Sequence, residues 1–423
     1  MRRMLKRAVV LLLGLASLLA TLHVARAAIP GIRGTQAVSS QLTWLRRVNP
    51  RAAPEMQRLF PEGEFFQWAL SGLAAGRLAR DGVDPADNLA LLEEAIAATG
   101  ASQVVDRFGA GDPLPHGAFY HGWRLLLLVD RAALTGDPAQ RAEVETEARR
   151  ILTALQADPL PASYPGRAWP CDVVVALAAA HRAAGLVELP GLPAVTRQWF
   201  AAVETHRDPS GLLVHRRGGD VARGSSQAII QAFLPDIDPV RAAREWRVFK
   251  EQFVVSELGL VGVREYPRGV ADDGDVDSGL LVAGVSASAS AVTLAAARRN
   301  GDLELAKVLD READLLGLPL PMGSGAAFAL GLMPVGDAFV AWARSAPLGA
   351  ALDVPSPQPW FWLFWLLALV PGVVALWMCR RRIAGLVALR RPGSAGRREE
   401  CQHIKDGASE PGGSVMNETT VGR

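Results

Sequence analysis

The chain has 423 residues, half of them hydrophobic and 21% charged, which is enough for one large domain or two ordinary ones with a buried core and outside the range of disordered chains. With 45 basic against 43 acidic side chains the formal net charge is +2, and no basic stripe with interleaved aromatics runs through the middle of the chain. Nucleic acid is therefore not an expected partner.

The first element in chain order is a leader. MRRMLKR, then AVVLLLGLASLLA, then a polar step to Ala25-Arg26-Ala27 set out a positive region, an apolar region and an A-x-A-like site. Residues 1–27 read as a signal peptide cleaved after Ala27, with an uncleaved signal anchor as the alternative.

From there apolar residues recur at helical spacing over 65–79, 88–100, 119–134, 139–156, 173–185, 194–206, 239–254, 278–301, 303–317 and 328–345, separated by Gly, Pro and Asp. Few alternating β-branched runs intervene, so the domain is expected to be mainly α. Segments such as 173–184 and 278–297 are rich in small residues and apolar nearly all round, whereas 139–156 carries a charged face. The first kind belongs inside and the second at a surface. A pair of the two kinds recurs roughly every fifty residues, as an (α/α) toroid requires: an inner ring of helices shielded by an outer one, the helical barrel of terpenoid cyclases and glycosidases. A stacked α-solenoid is the alternative.

Residues 359–378, PWFWLFWLLALVPGVVALWM, hold no charge and are followed at once by CRRR. At a rise of about 1.5 Å per residue this length matches a hydrocarbon core of about 30 Å. Trp360, Trp362, Trp365 and Trp377 cluster toward the interfaces, and Arg380, Arg381 and Arg382 mark the cytoplasmic side. One C-terminal transmembrane helix is expected, with the main domain, 28–350, extracytoplasmic at the cytoplasmic membrane. The basic, Gly/Ser-rich tail 379–423 is expected to be cytoplasmic and disordered. Cys171 is the one cysteine of the exported region, since Cys379 and Cys401 fall at or beyond the inner membrane edge. No intrachain disulfide is expected to staple the domain.

The order of elements over roughly 118–305 carries a resemblance. It runs FYHGWRLLLLVDRAALTGD, a Glu/Arg-rich helix, PCDVVVALAAAHRAAG, RQWFAAVETHRDPSGLLVH, DPVRAAREWRVFKEQFV and VGVREYPRGVADDGDVDSG, then a small-residue helix ending in AARRNGD. In this succession the chain resembles the linalool dehydratase/isomerase family of α/α-toroid enzymes. The resemblance implies a central cavity where cysteine, histidine, tyrosine and aspartate side chains perform acid–base chemistry on an unsaturated alcohol with no metal or organic cofactor. Cys171 falls where one family cysteine heads an inner helix, and Arg264 and Glu265 match the family's Arg-Glu step as cavity-lining residues. The family's second cysteine has no counterpart, and its histidine step is replaced by Tyr120-His121-Gly122-Trp123.

Several residues carry candidate chemistry. In YPGRAWPCD, Pro170 suits a first helical turn and Asp172 the positive end of the dipole. Cys171 there, near Arg167, is either an activated thiol or a small buried residue capping an inner helix. Tyr164, Arg167 and Trp169 are expected to line a substrate site with it. In ADDGDVDSG the glycine falls one place late for a calcium loop and position twelve is Gly284, so an EF-hand is rejected. Asp275 and Asp277 there are the expected general acid–base pair, or else a solvated cap cluster. His116, Tyr120 and His121 are candidates for a neutral base, with His121 the catalytic choice and Tyr120 and Trp123 substrate-binding. Arg264, Glu265 and Tyr266 are expected on the cavity wall, with a structural ion pair as the other reading. His206 and His215 flank a turn and lack metal-ligand spacing; no metal or cofactor is expected.

The leading expectation is a lyase or isomerase acting on a small or lipidic substrate. A carbohydrate-active toroid on envelope polysaccharide and a non-catalytic scaffold are the alternatives. A pocket joining Cys171, Asp275 or Asp277 and a histidine or tyrosine would favour the enzyme, and one plugged by Trp123 and Trp169 the scaffold. An open cleft lined by acids and exposed tryptophans would favour a sugar.

Overall fold

The computed structural model describes residues 2–29, 32–110, 112–270, 273–276, 278–359 and 361–389, and over these the chain is mainly helical. The expectations for Asp277, Trp360 and the tail from 390 lie outside the described residues. In chain order come α1 (Arg2–Ala28), α2 (Thr35–Met56), α3 (Gly63–Arg80), α4 (Pro85–Thr99), α5 (Ser102–Val105), α6 (Gly117–Thr135), α7 (Pro138–Ala157), α8 (Pro170–Ala183), α9 (Leu192–Val203), α10 (Gly224–Ile237) and α11 (Pro239–Phe253). Four short strands follow, β1 (Val254–Glu257), β2 (Leu260–Arg264), β3 (Leu281–Val282) and β4 (Val285–Ser286), then α12 (Ala287–Arg299), α13 (Leu303–Gly317), β5 (Leu320–Met322), β6 (Gly325–Ala327), α14 (Pro334–Ser345) and α15 (Trp362–Leu389).

The helices sort into two sets. In the first, α3 packs on α6, α6 on α8, α8 on α10, α10 on α12, α12 on α14, and α14 back on α3. Small residues make this closeness possible: Pro170 to Ala180 of α8 is buried without a break, and a Cβ at Gly122 of α6 would stand 2.9 Å from the Ala176 backbone. In the second set, α4 lies on α3 and α6, α7 on α6 and α8, α11 on α10, α13 on α12, and α2 on α3 and α14. Local chemistry starts these covering helices. Asp137, Asp238 and Asp302 accept backbone N–H groups at the N-caps of α7, α11 and α13, and Pro138 and Pro239 sit in first turns where a missing N–H costs nothing.

Aromatic side chains from four helices of the first set meet. Trp123 of α6 packs edge-on against Phe66 of α3 (5.3 Å between ring centroids), Phe233 of α10 (5.2 Å) and Trp342 of α14 (5.8 Å). Each such pair contributes about 0.5–1.5 kcal/mol beyond simple area burial. A buried ionic knot ties the seam beside them: Arg344 of α14 bonds Asp310 and Asp314 of α13, each at 2.6 Å, and Arg33 reaches Asp314 at 2.6 Å.

Two helices add to those expected, and one expected helix starts later. α2 and α10 escape the periodic reading because Pro50 and Pro54 interrupt one and Pro235 the other. The helix expected from 278 starts at Ala287, since Gly279 and Gly284 take left-handed φ of 66° and 78° around the β3–β4 hairpin and Ser286 caps the helix. The helix expected over 239–254 forms as α11, Pro239–Phe253, and the chain then enters the antiparallel pair β1–β2, in register Val254↔Val263 and Glu257↔Leu260, turned by Leu258 and Gly259.

Two helices, not one, are long and apolar enough to cross a membrane by length and composition: Met4–Ala28 and Trp362–Arg381. They pack on each other. Ser17 Oγ donates to the Ala368 carbonyl at 2.7 Å, and Gly372 lies so close that a Cβ there would be 2.8 Å from Ser17 Oγ. The end of α1 is also gripped by the domain. Arg311 donates to the carbonyls of Ala27 (3.1 Å) and Ala28 (3.0 Å), and Val24 and Ala27 are buried with Leu315 and Phe361.

Candidate functional site

The segments leading into α3, α8, α10 and α12 converge. YPGRAWPCD forms a tight turn around Gly166, at φ 75°, in which Arg167 N donates to the Tyr164 carbonyl at 2.9 Å and Trp169 N donates to Ser163 Oγ at 3.0 Å. This sets the Tyr164 and Trp169 rings 5.2 Å apart at the head of α8. Tyr164 donates its hydroxyl to Glu62 before α3 at 2.7 Å, and Trp169 Nε1 donates to His215 Nε2 at 3.3 Å. His215 Nδ1 stands 2.6 Å from Ser226 Oγ, in the first turn of α10.

Arg223, next to His215, is the hub. Its Nε donates to Glu265 Oε1 at 2.7 Å, and its two Nη groups donate to Asp275 at 2.6 and 2.7 Å. Its guanidinium lies over the Tyr266 ring, 5.4 Å from the centroid. Glu265 is entirely buried and also accepts from Ser225 Oγ and Ser225 N, so it caps α10 from the end of β2. Asp275, by contrast, is 46% exposed. A line of contacts thus runs from Glu62 through Tyr164, Trp169, His215 and Arg223 to Asp275.

Burial and the neighbouring Arg223 push His215 down to about 4, against a smaller opposing effect of Asp275, so the imidazole is neutral at pH 7. The Glu265 carboxyl is raised by burial, in part offset by Arg223 and Ser225. Burial works against the Arg223 charge, but Asp275 and Glu265 outweigh it and hold Arg223 above its ordinary value.

Asp275 and Tyr266 line an open cleft of about 810 Å³ together with Arg264, Asp273, Val270 and Leu280. Arg264 shapes its wall by donating to the carbonyls of Tyr266 and Val270, both at 3.1 Å. The cleft offers carboxylates and an anchored guanidinium, with Tyr266 rather than a tryptophan as its aromatic face, a set suited to proton transfer and to hydroxyl recognition. Among the described residues no three His, Cys, Asp or Glu side chains converge as a metal site needs.

The remaining expected residues lie apart from this line. Cys171 is buried in the first turn of α8 and its thiol donates to Asp172 Oδ1 at 4.0 Å. Arg167 is exposed, with no ion pair among the described residues. His121 is buried between Glu147 of α7, bonded through Nδ1, and the Pro115 carbonyl, 2.5 Å from Nε2. Both ring nitrogens are thus occupied by protein groups. Burial would raise Glu147, but the His121 bond and charge outweigh it and lower its carboxyl. Tyr120 packs against Phe65 and Phe108, and burial raises its hydroxyl. Trp123 fills the aromatic centre. Arg223 and Glu62 are the site residues that sequence reasoning passed over, and His215 was weighed only as a metal ligand. The signal for Arg223 is ARGSSQ before an apolar run, a helix start with small polar residues.

Fold and site together define a mainly helical protein with an open cleft of mixed polar and apolar lining between β2 and α12, and an apolar helix of membrane-crossing length near each end of the described residues. The chain matches no known protein-family profile and no curated protein sequence.

Proposed function

We propose that this is an α/α toroid, held at a membrane by α1 and α15 together, that performs acid–base chemistry on a hydroxyl-rich, glycan-type ligand of the cell envelope in the open cleft. The closed succession of six helices under a covering set supports the ring. The grip of Arg311 on Ala27 and of Ser17 on α15 supports keeping residues 1–27 attached. Basic residues in the first turns of α1 and after Trp377 support a topology with both outer ends in the cytoplasm and the main domain outside.

One observation carries the chemistry: a carboxylate, Asp275, fixed by a two-point bond from buried Arg223 on the wall of an open polar cleft, beside the Tyr266 ring. In this reading Asp275 takes or returns the proton, Tyr266 offers a stacking face, and Arg223 and Glu265 are positioning residues. The test is incubation of the purified full chain with envelope polysaccharides, following new chain ends. Asp275→Asn is expected to slow the reaction by about 10²–10⁴. Inactivity on every glycan together with turnover of an unsaturated tertiary alcohol would move the chemistry elsewhere.

That second reading, a lyase or isomerase resembling linalool dehydratase/isomerase, is favoured by a different observation. Trp123 Nε1, Gln231 Oε1 and Thr293 Oγ1, on α6, α10 and α12, are buried with no hydrogen-bond partner among the described residues. Buried polar atoms call for partners, as a small polar ligand between the ring helices would provide.

A further inference from the structure

We propose that the ligand of this cleft is lipid-linked, its head group bound at Asp275 and Tyr266 while its chain stays in the bilayer, which the apolar lip of the cleft touches. The inference rests on the glycan reading above.

The first observation is proximity. The tip of the β1–β2 hairpin touches the start of α15, where Phe361 N donates to the Gly259 carbonyl at 3.1 Å and the Trp362 ring lies against Gly259. The other end of β2 is Arg264, on the cleft wall. Five residues of strand span about 17 Å. The cleft thus lies within about that reach of the point where the membrane-length helices leave the domain.

The second observation is exposed apolar surface at both ends of that short path. Around the helix exit, Ile29, Leu258 and Leu316 are each more than half exposed, and each neighbours a residue that bonds to or packs with α1 or α15. Among the residues lining the cleft, Val270 and Leu280 are exposed, Leu280 to 85%, in the same lining as Asp275 and Tyr266. Exposed apolar groups close to helices of membrane-crossing length are covered most simply by lipid. A cleft polar on one wall and apolar on its lip is matched to an amphiphile. A free sugar would leave the lip in water.

The test uses the full chain with Cys379 and Cys401 changed to Ser, carrying a bimane label at Leu280→Cys or, as control, at Val240→Cys. Val240 is 83% exposed at the start of α11. Each protein is placed in phosphatidylcholine nanodiscs with brominated acyl chains, then in discs doped with diglucosyl diacylglycerol. Quenching is expected to be about twofold greater at 280 than at 240, and the glycolipid is expected to change emission at 280. Equal quenching at the two positions overturns the proposal whatever the ligand does. A response to a free glucose disaccharide as large as to the glycolipid also overturns it while leaving the glycan reading in place. A response to neither removes the sugar head group and the proposal with it.

Discussion

Arg223 holds Asp275 through two parallel hydrogen bonds of 2.6 and 2.7 Å while its Nε holds the wholly buried Glu265, so one guanidinium joins an exposed carboxylate to a structural one. The two partners differ in what they do for the protein. Removing Arg223 strands Glu265 in the interior, and Arg223→Met is expected to cost about 3–5 kcal/mol. Asp275→Asn, at a half-exposed position where Arg223 keeps Glu265 as a partner, is expected to cost less than Arg223→Met while removing activity. Urea unfolding alongside the glycan assay checks this; a large stability loss in Asp275→Asn would make that residue structural.

His215 links the site to pH. Its folded value, about 4, is below its ordinary 6.5, so between these values the unfolded chain binds more protons than the folded one. Stability therefore rises with pH through that window: it is fully present above about 6.5 and is lost as pH falls toward 4. The difference is on the order of 3 kcal/mol. The measurement is chemical denaturation of wild type and His215→Asn at pH 7 and pH 5. The variant's curve is expected to be flatter, and parallel curves would place the imidazole in a solvated setting.

Glu312 on α13 has the opposite sign. Burial raises its carboxyl to about 8, even though Val261 N donates to it at 2.6 Å. The folded chain then binds more protons than the unfolded one between about 4.5 and 8. Stability from this site is present at low pH and lost as pH rises through 8. Glu312→Gln keeps an acceptor for Val261 and is expected to melt higher than wild type at pH 9, with little difference at pH 5. A variant that melts lower at both would show that the charge itself is needed.

The attachment of α1 is directly measurable. Protein purified from membranes is expected to have the mass of a chain that retains residues 1–27, and Gly372→Leu, which forces Ser17 off α15, is expected to weaken the pair. A mature chain beginning at Ala28 would leave Arg311 without its Ala27 acceptor and would refute the two-helix anchor.

Trp123 separates the two functional readings. Trp123→Ala removes contacts to α3, α10 and α14 and is expected to cost about 3–5 kcal/mol. In the glycan reading the variant keeps most of its activity below its melting temperature. A reading with chemistry between the ring helices predicts that activity disappears with the indole.

Much of the architecture was legible in the chain itself, because helical periodicity, Asp-Pro starts and runs of small residues act within a few turns. The alternation of small-residue and charged helices, the mainly α class and the apolar segment near residue 360 were readable for that reason. So was the start of α8 just after Trp169, because Pro170 suits a first helical turn. The hairpin at 254–264 was not, since Leu258 takes a left-handed conformation that local preference disfavours.

What tertiary structure alone decided is which of these residues meet. Arg223 and Asp275 are 52 positions apart, Trp169 and His215 are 46, and Tyr164 and Glu62 are 102. No local pattern encodes such pairings. The same holds for His121: its sequence neighbours suggest a base at a helix head, but the fold places Glu147 and the Pro115 carbonyl on its two nitrogens. Periodicity sets which face of a helix avoids water, whereas a side chain's role depends on what packing brings opposite it, and that is a property of the whole folded chain.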